Sequence, residues 1–299
     1  ELEAGCGFPS TWFFAPFGGD YDRRTRPIDP VYRRPASELT EAFGRIRDRG
    51  CEIGLHGVRN SFADAAELLR QRENLEQQAR CRLDGLRFHY LMFRHGSTYA
   101  AAAGAGLHYD ASRGFSDRAG FRDGMAAPWF PLPEGSDLVE LPLHCMDGLF
   151  LHASDPETAA AEVLDAYRLA RAAGGMFSFL LHPGCLDPLE IPGLDAFYRD
   201  LLSRARDEGC LGMTGRQLCS WWLARERVLN SLEFSPGRFR IAGVPVPGEM
   251  EFAFSVPSGS GLEVSLENGE AAAQRRRNGA LLLRPGPVDP GRGITFLLG

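Results

Sequence analysis

The sequence predicts an α/β fold with a mostly parallel sheet, followed by a smaller β-rich segment. Short apolar runs alternate with amphipathic helical patterns up to about residue 227, and repeated strand–helix units of this kind build parallel sheets, either open or closed into a barrel. After residue 228 short alternating runs separated by Gly and Pro replace the helical period, which is typical of strands. With 299 residues available, we expect a large domain at 1–227 and a small all-β domain at 228–299.

The strands predicted in the first domain are short and apolar, and several are bounded by Gly or Pro. Thr11–Ala15, for example, combines β-branched and aromatic residues between two prolines, which favours a buried strand. By the same criteria, strands are predicted at 51–56, 85–90, 108–110, 138–142, 176–181 and 210–213.

The predicted helices have start signals and one apolar face. Asp155 precedes Pro156 and Glu157, so it is expected to cap a helix that runs to about residue 173. Other helices are predicted at about 37–49, 63–80, 97–104, 194–207 and 214–222. In the second domain, Gln274–Gly279 resembles a hairpin turn whose three arginines lie at a solvated tip.

The composition excludes some classes of protein. The net charge of −6 gives no electrostatic support to a nucleic-acid partner. No run approaches eighteen uninterrupted apolar residues, so no membrane span is predicted. The 7 cysteines are odd in number and form no Cys-x-x-Cys pair, which favours reduced, mostly buried thiols in a cytoplasmic protein over a disulfide framework or a zinc site.

Polar residues follow the predicted strands, and these positions indicate a site. His56, His89, His182 and Asp110 each end an apolar run, and the carboxyl ends of parallel strands meet at one edge of a sheet or barrel. Arg87 lies two residues before His89, so both should point to the same face of one strand. Each histidine alone is typical of an ordinary loop residue, but several at the same end of successive strands favour a functional site.

A series of short motifs resembles the polysaccharide deacetylase family, in a divergent bacterial branch, over about residues 1–225. These motifs are Ser10–Phe14, Glu52–Gly57 with Asn60, Gly85–Tyr90, Gly106–Ser112, Gly120–Gly124, Glu140–Leu143, Met146–Asp147, His182–Pro183 and Thr214–Trp222. The resemblance implies a distorted, incomplete (β/α) barrel with its site at the carboxyl ends of the strands. It also implies a hydrolase that removes an N-acetyl group from a sugar of a polysaccharide or its precursor.

The resemblance also implies roles for individual residues. His182 matches the family's catalytic acid, and Arg87 matches the arginine that orients its catalytic base. His56 matches the first metal-binding histidine, and the expected cofactor is a divalent metal, zinc by preference. Such an ion polarises the amide carbonyl and lowers the pKa of water, while two titratable groups divide the proton transfers.

The chain departs from the family pattern at the metal site. Asn60 occupies the position of the second metal-binding histidine, and an amide oxygen is a poorer zinc ligand than imidazole. His89 is the expected replacement, with a substrate contact as the open alternative. Asn60, Tyr90 and Asp110 are expected to bind the carbohydrate substrate.

The paired aspartates of the family's first strand have no counterpart here. The segment Glu1–Pro9 is typical of the helix and turn that follow that strand, so we expect either a preceding segment or a decayed site. Asp20 and Asp22 are interpreted as loop residues. The 299-residue chain alone is therefore expected to bind metal weakly or not at all and to have negligible activity. The alternative hypothesis is a non-catalytic carbohydrate-binding relative.

Overall fold

The structure is a computed structural model that describes residues 2–17, 29–30, 32, 36–133 and 135–235, and six later strands between residues 238 and 298. Contacts divide the chain into two compact units, 1–219 and 220–299, which are described separately. Within the described parts of the chain, every helix is too short or too polar to cross a lipid bilayer.

The first unit contains a five-stranded parallel sheet in which each strand pairs with the next along the chain. Its strands are β1 (Thr11–Phe14), β2 (Glu52–Gly57), β3 (Gly85–Phe88), β4 (Tyr109–Asp110) and β5 (Val139–Glu140). A separate parallel pair follows, β6 (Cys145–Met146) with β7 (Phe179–Leu180). This α/β architecture is consistent with a (β/α) barrel-like fold of the predicted kind, interrupted between β5 and β6.

Helices connect most of the strands, as is usual for parallel pairing, although the described residues between β4 and β5 form none. They are α1 (Leu2–Gly5), α2 (Ala36–Asp48), α3 (Ala65–Ala79), α4 (Thr98–Gly104), α5 (Gly148–His152), α6 (Pro156–Ala172), α7 (Leu194–Asp207) and α8 (Gly215–Asn230). The start of α6 is as predicted, because Asp155 accepts a hydrogen bond from the backbone N–H of Thr158 at 2.7 Å. Helix α3 begins in the same way, with Asp64 as the cap.

The larger hydrophobic core packs sheet residues against α2 and α3. Leu55 and Leu86 from the sheet are fully buried, together with Phe43, Leu68 and Leu75 from the helices. A second cluster joins β6 to α6 and α7 and includes Cys145, Val163, Tyr167 and Leu201. The two cores hold the two groups of strands whose carboxyl ends bear the polar residues.

A polar network lies at the start of β2. The Glu52 carboxylate accepts hydrogen bonds from the Thr11 hydroxyl at 2.9 Å, the Tyr109 hydroxyl at 3.0 Å and the Arg216 backbone N–H at 2.8 Å. Burial raises the pKa of Glu52, although these hydrogen bonds oppose the shift. The Tyr109 ring packs directly over Gly85, where a side chain would overlap it.

Several predicted elements differ from the structure. The strand predicted at 210–213 is wrong, because the segment forms no ladder and Gly212 packs instead against Phe8. The strand predicted at 176–181 is paired only at 179–180. Strand β6 and helix α5 were not predicted, because two and five residues are too few to establish a period. Cys145 and Cys219 are buried, but the other five cysteines are only half-buried.

The second unit contains antiparallel strands. They are β8 (Leu232–Ser235), β9 (Arg238–Ile241), β10 (Phe252–Ser255), β11 (Val264–Leu266), β12 (Ala273–Arg277), β13 (Ala280–Arg284) and β14 (Ile294–Leu298). They pair in the orders β11-β14-β9-β8 and β10-β13-β12. The predicted hairpin is present as β12 and β13, but the three arginines belong to β12, since Arg277 pairs with Ala280.

Candidate active site

His56 and His89 form a direct pair at the carboxyl ends of β2 and β3. His56 Nε2 lies 3.0 Å from His89 Nδ1, and the two rings meet edge to face. Burial, together with the charges of His89, Arg87 and His182, lowers the pKa of His56 to about 3. His56 is therefore a neutral imidazole at physiological pH, and all four groups share one electrostatic environment.

His89 does not continue strand β3, contrary to the sequence prediction. It opens a 3₁₀ turn, His89–Leu91, in which Tyr90 has φ 55° and Leu91 has φ 50°. Two consecutive non-glycine residues with positive φ cost roughly 1–3 kcal/mol each, and such strain concentrates at functional sites. The turn places the Tyr90 ring 4.2 Å from the His89 ring and leaves Tyr90 68% exposed.

Arg87 lies beside His56, because the two residues are partners in the β2–β3 register. Its Nε donates to the Ala111 carbonyl at 2.8 Å, and its guanidinium lies 4.7 Å from the centroid of the Phe13 ring. Burial lowers the pKa of Arg87 to about 10, against the opposing charges of Tyr109, Asp110 and Glu140. Among the ion pairs of the described residues, none involves Arg87, so its terminal nitrogens are available to an anion.

His182 follows β7 and is held by Asp147 at the end of β6. His182 Nδ1 lies 2.9 Å from Asp147 Oδ1, and the His182 backbone N–H donates to Oδ2. The Asp147 side chain is 2% exposed, whereas that of His182 is 55% exposed. The hydrogen bond to Asp147 raises the pKa of His182, although burial and the charge of Arg87 oppose the shift.

Asp147 and its neighbour Cys185 were missed as site residues by the sequence reasoning. Asp147 follows a strand as short as two residues, and that strand was not predicted. The carboxyl-end rule that selected His182 also applies to Asp147, and the Met146–Asp147 motif was already visible. Cys185 reaches the site through the 3₁₀ turn Pro183–Leu186.

Asp110 and Glu140 form a buried carboxyl pair across β4 and β5. They are register partners, and both are 0% exposed. Burial raises the pKa of Asp110 to about 6, and burial together with the Asp110 charge raises the pKa of Glu140. Asp110 reaches no solvent, so its predicted substrate contact has no support in this geometry and stays a prediction.

Asn60, unlike Asp110 and Glu140, is exposed, and it lies on the 3₁₀ turn Arg59–Ser61 that follows β2. Its predicted substrate contact also stays a prediction. The loop that contains Asp20 and Asp22 lies outside the described residues.

The spacing of the His56 and His89 nitrogens suits two of the four ligands of a zinc site, and it is also the length of an ordinary hydrogen bond. A tetrahedral zinc ion with bonds of about 2.0–2.1 Å separates two ligand nitrogens by roughly 3.3 Å, close to the observed 3.0 Å. The neutral state of His56 is the one that binds metal. Over the residues that the structure describes, however, the group of three potential ligands is Asp147, His182 and Cys185.

No protein-family model matches this sequence, and no curated protein is detectably similar to it. The structure is similar to that of a Mycobacterium smegmatis protein assigned provisionally as a polysaccharide deacetylase, with 20% identity, a TM-score of 0.53 and 75% of both chains covered. It is also similar to Puue allantoinase, with 17% identity, a TM-score of 0.54 and coverage of 75% of this chain and 70% of that one. At these identities the similarity shows the fold.

Proposed function

We propose that this protein is a metal-dependent hydrolase that removes an N-acetyl group from a sugar of a polysaccharide or its precursor. The observation that carries the proposal is the Asp147–His182 pair. It presents an accessible imidazole with a raised pKa at the same strand ends as His56 and Arg87. The similarity to the fold of a provisional polysaccharide deacetylase supports the same reaction class.

His182 would act as the general acid. Amide hydrolysis needs a proton on the leaving nitrogen, and an acid whose pKa lies near the working pH delivers it best. Asp147 binds the Nδ1 side of the ring at 2.9 Å, which leaves the Nε2 proton for the leaving amine. Asp147 is therefore the positioning residue for His182.

Arg87 would bind a carboxylate or the oxygen that gains charge during the reaction. A half-buried guanidinium that forms no ion pair with the described residues is costly, and a planar fork suits two oxygen atoms. The interaction of its Nε with Ala111 orients the other two nitrogens. This placement supports the predicted role of orienting the catalytic base.

A zinc ion held by His56 and His89 would supply the polarised carbonyl and the acidified water that amide hydrolysis requires. The two imidazole nitrogens already lie 3.0 Å apart. Tyr90 would contact a sugar ring, since its side chain is 68% exposed next to His89. Asn60 is the second proposed substrate contact.

The test is acetate release from N-acetylated oligosaccharides with Zn²⁺, Co²⁺ or Ni²⁺ supplied. It is run on the 299-residue chain and on the full-length natural protein, and turnover by either is expected to be strongly suppressed in His182→Ala. His152→Ala is a matched control, because His152 lies on α5 and is exposed.

Failure of both proteins to release acetate from varied substrates would overturn the proposed reaction. It would favour a non-catalytic carbohydrate-binding protein, for which the two-ligand arrangement of His56 and His89 is the supporting observation. Binding of N-acetylated oligosaccharides, measured by calorimetry and weakened in Tyr90→Ala, would then support that second function.

A further inference from the structure

Three potential metal ligands meet beside the proposed acid. Ligand atoms of Asp147, His182 and Cys185 all lie within 4.8 Å of one another. The Asp147 side chain is almost fully buried, whereas His182 is half-exposed and Cys185 is half-buried. The carboxylate is therefore the most buried of the three ligands, and the nitrogen and sulfur atoms are more accessible. An ion from solvent can enter such an arrangement.

The local backbone preorganises this group. His182 is the N-cap residue of the 3₁₀ turn Pro183–Leu186, and Cys185 lies within that turn. The Cys185 backbone N–H donates to the His182 carbonyl at 2.9 Å and closes the turn, while the Asp147 backbone N–H donates to the Leu180 carbonyl at 3.0 Å. Both segments are therefore held in place by backbone hydrogen bonds.

We infer that Asp147, His182 and Cys185 form a binding site for a thiophilic divalent cation of the zinc class, separate from the pair of His56 and His89. Thiolate and imidazole together select zinc-like ions over magnesium or calcium, and three protein ligands leave an open fourth position. Cys185 binds as the thiolate and releases its proton to solvent. The carboxylate and the thiolate then balance the double charge of the ion.

This site would control the proposed reaction, and this part of the inference rests on the proposed function. His182 Nδ1 and Asp147 Oδ1 lie 2.9 Å apart, so an ion bound by both atoms takes the place of the proton between them. With Nδ1 bound to metal, the ring cannot become the imidazolium that donates a proton. Excess zinc is therefore expected to inhibit the enzyme.

The direct test uses Co²⁺ as a spectroscopic probe on the purified full chain, without any substrate. Thiolate coordination produces a ligand-to-metal charge-transfer absorption, which we expect to saturate at one equivalent. Cys185→Ser should abolish this absorption. Cys185→Ser should also weaken Co²⁺ binding. The loss should exceed the roughly 10–100-fold that is typical when a residue hydrogen-bonded to a metal ligand, rather than the ligand itself, is removed. Cys81→Ser, at another half-buried cysteine, should leave it unchanged.

His56→Ala should also preserve the cobalt–thiolate absorption, because that histidine belongs to the other pair. An absorption that is absent from the wild type, or that survives in Cys185→Ser, would overturn the inferred site. Circular dichroism confirms that each variant is folded.

The regulatory part is tested by zinc titration of acetate release. Inhibition by excess Zn²⁺, measured relative to each protein's own rate without the excess, should be lost in Cys185→Ser. Equal inhibition of both proteins would refute this control mechanism. If no substrate is turned over, the proposed function fails, but the cobalt spectrum still decides whether the site exists.

Discussion

Replacing Gly85 with alanine should destabilise the first unit by several kcal/mol. A Cβ at this position would overlap the Tyr109 ring. That ring is 0% exposed, and its hydroxyl donates to Glu52 at 3.0 Å, so the ring cannot move without losing this bond. Overpacking costs roughly 1–3 kcal/mol, and a buried polar group left unpaired costs about 1–3 kcal/mol more. The sum of about 2–6 kcal/mol is a large part of the roughly 5–15 kcal/mol that stabilises a typical native protein.

The measurement is urea unfolding followed by circular dichroism and tryptophan fluorescence. Gly44→Ala is the matched control, because Gly44 lies inside α2 and an added Cβ meets nothing within 4 Å. That control should be more stable than the wild type by about 0.5–1 kcal/mol, since alanine is the better helix residue. If Gly85→Ala unfolds within about 0.5 kcal/mol of the wild type, the argument from the Tyr109 contact is wrong.

Three further predictions concern titration, all in metal-free protein. Asp147→Asn should lower the pKa of His182 below its usual value, because burial and the charge of Arg87 remain; an unchanged value by NMR would contradict the assigned pair. In the wild type, the raised pKa of His182 stabilises the fold fully below about pH 6.5, and this stabilisation is lost as pH rises through the folded pKa. The loss of unfolding free energy in Asp147→Asn should therefore be largest at acid pH. His56 has a folded pKa of about 3, so its contribution to the free energy of unfolding is complete above about pH 6.5 and declines as pH falls towards 3. Urea unfolding of His56→Gln should show a smaller loss of stability in acid, and a pH profile identical to the wild type would refute the neutral imidazole. The pKa of Asp110 is raised to about 6, so ionising Asp110 destabilises the fold by at most about 3 kcal/mol as pH rises from about 4 to 6. Asp110→Asn should remove that loss of stability. If the variant is as pH-sensitive as the wild type, Asp110 does not titrate in this range.

Some features of this protein follow from local sequence alone. The cap at Asp155 and the apolar faces of the helices are local signals, because capping and the helical period act within a few residues. Alternating strand and helix patterns are enough to predict a parallel sheet. The sequence also selected His56, Arg87 and His182 as groups at the ends of successive strands, because that rule depends only on the element order. Their catalytic roles stay predictions.

Other features depend on which segments meet in space. Asp147 joins His182 across 35 residues, and no local pattern records that contact. The turn that removes His89 from strand β3 depends on positive φ values at Tyr90 and Leu91, which propensities disfavour and only the surrounding packing can impose. The burial of Asp110 was likewise decided by tertiary structure. A polar residue at a strand end faces solvent or the interior according to which segments cover that end. The sequence therefore determines the elements and the order of the polar residues, and long-range packing decides which of them meet and which of them reach solvent.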